Sequence, residues 1–318
     1  MFKQILVPLD GSALAECVLP HAIALATLHD ASITLLRVLE TGEGREHPSF
    51  ANPLDAHLDS VIADAYLAEM ADRLSRVGVL AEAVTLRGSA AEEIVAFAQR
   101  SDVDLIVMSS HGKSGLSAWN ISSITQKAIL RAHRSVMVVR AYVSPRAGKE
   151  LVPYRRVMVP LDGSQRAEYV LPAAISLAQA HDAQLVLAHV VHRAEMPHRV
   201  QSYQEDMRLV ETLTGYQRRA AEAYLEDLRG RLPVDVRVEL LVSDDVAGAL
   251  RELAERSTCD LVMLSAHGHS GSPRCMYGSV TSSLIAYGST PLLVVQDLVG
   301  QQIEPLKAEL AVKEQQGH

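Results

Sequence analysis

The sequence predicts an α/β fold written twice: two tandem domains, each a five-stranded, mainly parallel sheet in an α/β/α sandwich. Three observations lead there. First, the hexapeptide Val-Pro-Leu-Asp-Gly-Ser stands at residues 7–12 and again at 159–164, an offset of 152 (159 less 7). The match runs on at that offset, so that Ala15, Glu16, Val18, Leu19 and Pro20 recur as Ala167, Glu168, Val170, Leu171 and Pro172. At an offset of 156 (265 less 109), Ser109, His111, Gly112, Ser123 and Thr125 recur as Ser265, His267, Gly268, Ser279 and Thr281. A period this long marks duplicated domains, because solenoid repeats run roughly 20–50 residues. Second, each half alternates short runs of Val, Ile and Leu with longer stretches of helical period, the pattern of crossover units on a parallel sheet. Third, runs such as Asp-Leu-Ile-Val-Met at 104–108 are apolar at successive positions, so helices must cover both faces of the strand.

Taken in order, the first half reads as strands near 3–9, 32–39, 80–87, 103–109 and 135–142, with helices near 13–29, 57–77, 90–100 and 122–133. The second half repeats this with strands near 155–161, 184–191, 234–242, 259–265 and 290–296, and helices near 165–181, 200–230, 246–257 and 278–288. Ser12, Ser164, Ser89 and Asp245 each stand just ahead of a helical pattern and are suited to cap it. Residues 40–56, with two glycines and two prolines, read as a long loop. The domains are expected at 1–143 and 155–297, with 144–154 as a linker and 298–318 as a polar tail.

At 318 residues, the chain has room for two cores of ordinary size. A formal charge of −8 and short, scattered basic runs argue against a nucleic-acid partner. Aromatic residues make up 4% of the chain, which leaves no stacking platform for single strands. Three cysteines without C-x-x-C spacing support neither a disulfide framework nor a cysteine zinc site. No apolar run reaches roughly 18 residues and no signal pattern opens the chain. The expected setting is the cytoplasm, with no membrane partner.

The strongest site signal follows the fourth strand of each half, at the edge where open parallel sheets bind ligands. The second copy reads Ser265-Ala-His267-Gly268, nine residues, then Gly278-Ser279 at a helix start. Small residues there let backbone N–H groups approach phosphate oxygens, and the helix N-terminus adds partial positive charge. The first copy has Ser122-Ser123 in place of Gly278-Ser279, and a Cβ at 122 is expected to crowd a phosphate or to forbid a positive φ. Asp10 and Asp162 have two readings, capping of the adjoining helix or contact with a ligand. His111 and His267 lack a partner at metal-ligand spacing and are read as shaping the loop without acid–base chemistry. Lys113 is read as solvated, Trp119 as packing, and the cysteines as small apolar residues.

These segments resemble the universal stress protein family, whose members carry Gly-x-x-Gly, nine residues, then Gly-Ser or Gly-Thr after the fourth strand. The resemblance covers nearly all of both halves, including Pro-x-Asp-Gly-Ser, His189-Val190, the Asp-Leu-Val-Met run at 260–263 and the His-Gly loop. It implies a nucleotide-binding fold shared with enzymes that cleave adenine nucleotides at the α-phosphate. It also implies ATP as ligand, with Mg²⁺ arriving on the nucleotide. The matching residues are Asp162 and Val190 at the adenine end, with Leu264, Ser265, Gly268, Gly278, Ser279 and Val280 around the ribose and phosphates; Pro160 and His267 complete the second-half set. The weaker first-half set is Pro8, Asp10, Val38, Met108, Ser109, Gly112, Ser122 and Ser123. The serines 109 and 265, where the family has glycine, bring a hydroxyl able to bond a phosphate. The implied role is a nucleotide-responsive regulator or chaperone-like binding module, at most a slow ATPase. The rivals are an adenylating enzyme of the same fold, against which stands the absence of a Ser-Gly-Gly-x-Asp-Ser loop, and a nucleotide-free scaffold. Members of the family dimerise through the last strand. The runs 135–139 and 291–295 are therefore expected to make an internal pseudo-dimer, with a homodimer also open.

Overall fold

The computed structural model describes residues 1–40, 53–113, 121–141, 152–192, 203–269 and 275–297. Trp119, the second halves of both phosphate loops, most of the expected linker and the tail lie outside these residues. The chain divides into two compact units, the main boundary in sequence falling between Val152 and Pro153.

The first unit runs β1 (Gln4–Pro8), α1 (Ala13–Glu16), α2 (Leu19–His29), β2 (Ser32–Leu39), α3 (Pro53–Arg76), β3 (Ala81–Arg87), α4 (Ala90–Arg100), β4 (Leu105–Ser109), α5 (Ser123–Ala132) and β5 (Ser135–Val139). The second runs β6 (Arg156–Pro160), α6 (Gln165–Glu168), α7 (Leu171–His181), β7 (Gln184–Val191), α8 (Tyr203–Arg231), β8 (Val236–Val242), α9 (Val246–Arg256), β9 (Leu261–Ser265), α10 (Ser279–Tyr287) and β10 (Leu292–Val295). All pairings within each unit are parallel, giving the orders β3-β2-β1-β4-β5 and β8-β7-β6-β9-β10. Right-handed crossovers then put α2 and α3 on one face of the first sheet, with α4 and α5 on the other. The apolar runs match the burial of these strands: every residue of β4, β5 and β9 is buried, whereas the outer strand β3 is half exposed.

Three expectations are corrected. The helices expected at 13–29 and 165–181 are each broken in two. Pro20 and Pro172 lie in the first turn of α2 and α7, where a missing N–H costs nothing. A continuous helix would instead set the ring against the carbonyl four residues back. The helix expected from 57 begins at Pro53, the first residue of α3, while residues 41–52 of the expected loop lie outside the described residues. Tyr154 lies not in a linker but inside the second unit, fully buried and edge-on to His181 with ring centroids 5.1 Å apart. Phe2 and His29 form the same pair in the first unit. Each unit also pins its first strand with an aspartate: Asp104 accepts from the N–H groups of Lys3 and Gln4, and Asp260 from those of Arg155 and Arg156. Among the described residues, no helix is long and apolar enough to cross a membrane.

Candidate functional site

Strand order fixes where a ligand fits. The chain leaves β1 toward β2 and later returns to the other side of β1 with β4, so a crevice opens outside the carboxyl ends of β1 and β4. In the first unit this crevice is a cavity of about 410 Å³, within the range of small-molecule sites. Pro8, Asp10, Val38, Met108, Ser109, Gly112 and Ser122 all line it, while Ser123 does not. Sequence reasoning missed Arg37 and Asp59, which also line it, along with Ile94 on α4. Arg37 carried a legible signal: a charge at the end of a strand, one residue before Val38.

The two aspartates make the same set of bonds. Asp10 accepts through Oδ1 from the N–H (3.0 Å) and hydroxyl (2.6 Å) of Ser12, and through Oδ2 from the N–H of Lys113. Asp162 does the same with Ser164 and with the His269 N–H at 2.6 Å. Each carboxylate therefore ties the turn after the first strand to the loop after the fourth. Ser12 and Ser164 in turn cap α1 and α6 through the N–H groups of Ala15 and Ala167. Burial pushes the Asp162 carboxyl up, but its three donors and nearby His189 outweigh this and hold it below the ordinary carboxylate range.

This clamp dictates two glycines in each unit. Gly11 and Gly163 take φ +82°, which a Cβ disfavours, so the chain can turn back under the aspartate. At Gly112 and Gly268 a Cβ would overlap Oδ2 of Asp10 or Asp162, so the second glycine of the motif makes room for the aspartate. Gly278 differs. Its φ is −65° and Ser122 at the matching place has −69°, and a Cβ at 278 would meet its nearest neighbour at 3.7 Å. The expected positive φ is thus absent, and serine fits the first copy without strain.

What Ser122 changes is the helix end. Its Oγ accepts from the Thr125 N–H at 3.2 Å, occupying an amide that a phosphate would otherwise use, whereas Gly278 leaves α10 without a side-chain cap. Ser89 likewise begins α4 but makes no capping bond, while Asp245 caps α9 through the Gly248 N–H at 2.8 Å. The hydroxyls of Ser109 and Ser265 are spent inside the protein. They donate to the carbonyls of His111 and Ala167, contrary to their expected use on a phosphate.

The histidines are buried, with different partners. His111 Nδ1 lies 3.1 Å from the Ser110 hydroxyl, which accepts from the Ala141 N–H. His267 Nδ1 lies 2.8 Å from Asp297 Oδ1, and the other oxygen of Asp297 takes Arg166 Nε at 2.7 Å. Leu14 and Ala141 stand at the matching places of the first copy, and sequence reasoning did not find this triad. Of the remaining residues, Pro160 ends β6, Val190 lies at the end of β7, Leu264 and Ser265 close β9, and Ser279 and Val280 open α10.

Both units are doubly wound α/β sheets whose strand order switches at the carboxyl edge, the place where open parallel sheets in general bind ligands. The chain belongs to the universal stress protein family, whose model matches residues 1–140 and again 153–296. Two universal stress proteins of Methanocaldococcus jannaschii are similar to it: one is 29% identical over 155 residues, covering 44% of this chain and 96% of that one. The other is 31% identical over 147 residues, covering 44% and 83%. Among solved structures, a universal stress protein of Archaeoglobus fulgidus superposes with a TM-score of 0.61 at 20% identity, over 92% of this chain and 98% of that one. A functionally unknown protein of Pseudomonas aeruginosa does so with 0.62 at 15%, over 98% of both chains. At those identities the likeness is one of fold.

Proposed function

We propose that this chain binds adenine nucleotides, ATP among them, at the carboxyl edge of each unit and acts as a nucleotide-responsive regulator. The observation that carries the reading is that seven of the eight residues matched to the family's nucleotide site in the first half line one cavity of about 410 Å³. Its chemistry suits the ligand. Pro8, Val38 and Ile94 offer an apolar wall for a base, while the N-terminus of α5 and the side chains of Lys113 and Arg37 supply positive charge. In the second unit the open first turn of α10 offers unclaimed amides to phosphates. Mg²⁺ would arrive with the nucleotide. Binding is favoured over turnover because Asp10, the carboxylate nearest the loop, is already held by three donors. Hydrolysis below about 1 per second is expected, slower than typical enzymes. The cytoplasm is the proposed setting.

Mass analysis of small molecules released on denaturation, with calorimetric titration of ATP, tests the reading. Gly278→Glu should remove ATP binding by the second unit, because an added anion would meet the phosphates. Absence of any adenine-nucleotide binding in the native chain would overturn the proposal.

A further inference from the structure

The first unit's cavity carries a feature the second copy lacks. Arg37, at the end of β2, lines it and stands where the second copy has His189. Burial lowers the His189 pKa, with Asp162 and the Leu161 carbonyl pulling partly the other way, so this ring is neutral near pH 7. An arginine at this place is always charged. Its guanidinium is held in position on two sides: its carbon lies 5.3 Å from the centroid of the Tyr66 ring, and a guanidinium nitrogen lies 3.1 Å from where a Cβ of Gly11 would be. Among the described residues, no carboxylate lies within ion-pair range of it. Glu40 and Asp59 share the cavity wall without pairing to it. The result is a half-buried, oriented cation without an ion-pair partner among the described residues.

Position then tells what the charge meets. The N-terminus of α5 sits against the end of β4, since the Ser122 N–H donates to the Ser110 carbonyl at 2.7 Å. β2 and β4 flank β1 on opposite sides, so the two positive ends of the cavity are about 10 Å apart, two strand spacings. A ligand whose 5′-phosphate sits at α5 presents its nucleoside end toward β2. We propose that the first-unit site selects adenine nucleotides bearing a second phosphate on the ribose, at the 2′ or 3′ hydroxyl, and that Arg37 is the residue that recognises it. A guanidinium matches a terminal phosphate in bidentate geometry. The inference rests on the nucleotide reading above.

The test is calorimetric titration of the full chain with AMP, adenosine 3′,5′-bisphosphate and adenosine 2′,5′-bisphosphate, with ATP as the reference ligand. At least one bisphosphate should bind about tenfold more tightly than AMP, the effect of one charge-assisted contact. In Arg37→His, which installs the second copy's residue, that preference should shrink to near parity, while the thermal midpoint without ligand establishes that the variant is folded. Equal affinity of AMP and both bisphosphates in the native chain overturns the inference but leaves the nucleotide reading standing. A preference that persists in Arg37→His also overturns it, by placing the second phosphate elsewhere. Failure of ATP and AMP alike to bind sinks the nucleotide reading instead.

Discussion

The two units share a clamp and differ in what surrounds it. In both, an aspartate after the first strand gathers a serine and the N–H of the residue after the loop glycine, with nearly equal bond lengths. Around that fixed point the first unit has Arg37, Lys113 and a helix capped by Ser122. The second has His189, His269 and an uncapped α10, and it adds the Arg166–Asp297–His267 triad, for which the first has Leu14 and Ala141. Duplication has therefore kept the part that shapes the loop and varied the part that a ligand would read.

The sharpest way to break this comparison is to treat the two motif glycines alike. Gly268→Ala forces a Cβ into the Asp162 carboxylate and should destabilise the second unit by about 3 kcal/mol, an overpacking cost. Gly278→Ser adds a Cβ in ordinary contact and a cap for α10, and should be neutral or stabilising by about 1 kcal/mol. Chemical denaturation of the two variants decides it; equal losses would mean that the phosphate-side glycine carries the fold after all.

Asp297→Asn probes the feature found in one unit. It replaces a carboxylate that holds two cationic or polar partners, and the expected cost is about 2 kcal/mol, moderated because Arg166 is partly exposed. Burial pushes the Asp297 carboxyl up, yet the bonds from His267 and Arg166 outweigh it and keep the group below the ordinary range. Such a group adds stability above its unfolded value of about 3.9, and the gain is lost as pH falls through the lower folded value. Acid unfolding of the native chain should thus be steeper below pH about 4 than that of Asp297→Asn, which has no such proton to take up. Superimposable acid limbs would refute a stabilising triad.

A smaller effect is expected on binding from Ser122→Gly. It frees the Thr125 N–H for a phosphate at a cost in helix stability of a few tenths of a kcal/mol, and should tighten ATP at the first unit by roughly threefold to tenfold, the share of one hydrogen bond. An unchanged or weaker ATP affinity by titration would show that this amide is not used.

The smallest contrast lies at the opposite edge of the sheets. Burial, then the chain's amino group and Lys3, lower the His29 pKa from 6.5 to about 4, whereas His181 is lowered by burial alone. With the neutral ring favoured in the fold, the unfolded chain binds the extra proton between those values. Stability therefore falls as pH drops from 6.5 toward 4. His29→Phe should flatten that part of the stability curve slightly, read by thermal melts at stepped pH.

The sequence by itself determined the duplication, the order of elements and the edge of the first sheet at which the cavity opens. Each rests on pattern along the chain: a long-range repeat, apolar runs of strand length, and capping residues ahead of helical periods. It also marked which glycines matter, but not why. Gly268 reads as room for a phosphate until the fold brings Asp162, over a hundred residues away, against it. Gly278 reads as a conformational need until its φ proves ordinary. Arg166, Asp297 and His267 come from three separated segments, and Arg37 meets the cavity only because β2 lies beside β1. Such meetings depend on strand order and on distances of a few ångströms, which residue type and spacing do not encode. Only the tertiary structure decided them.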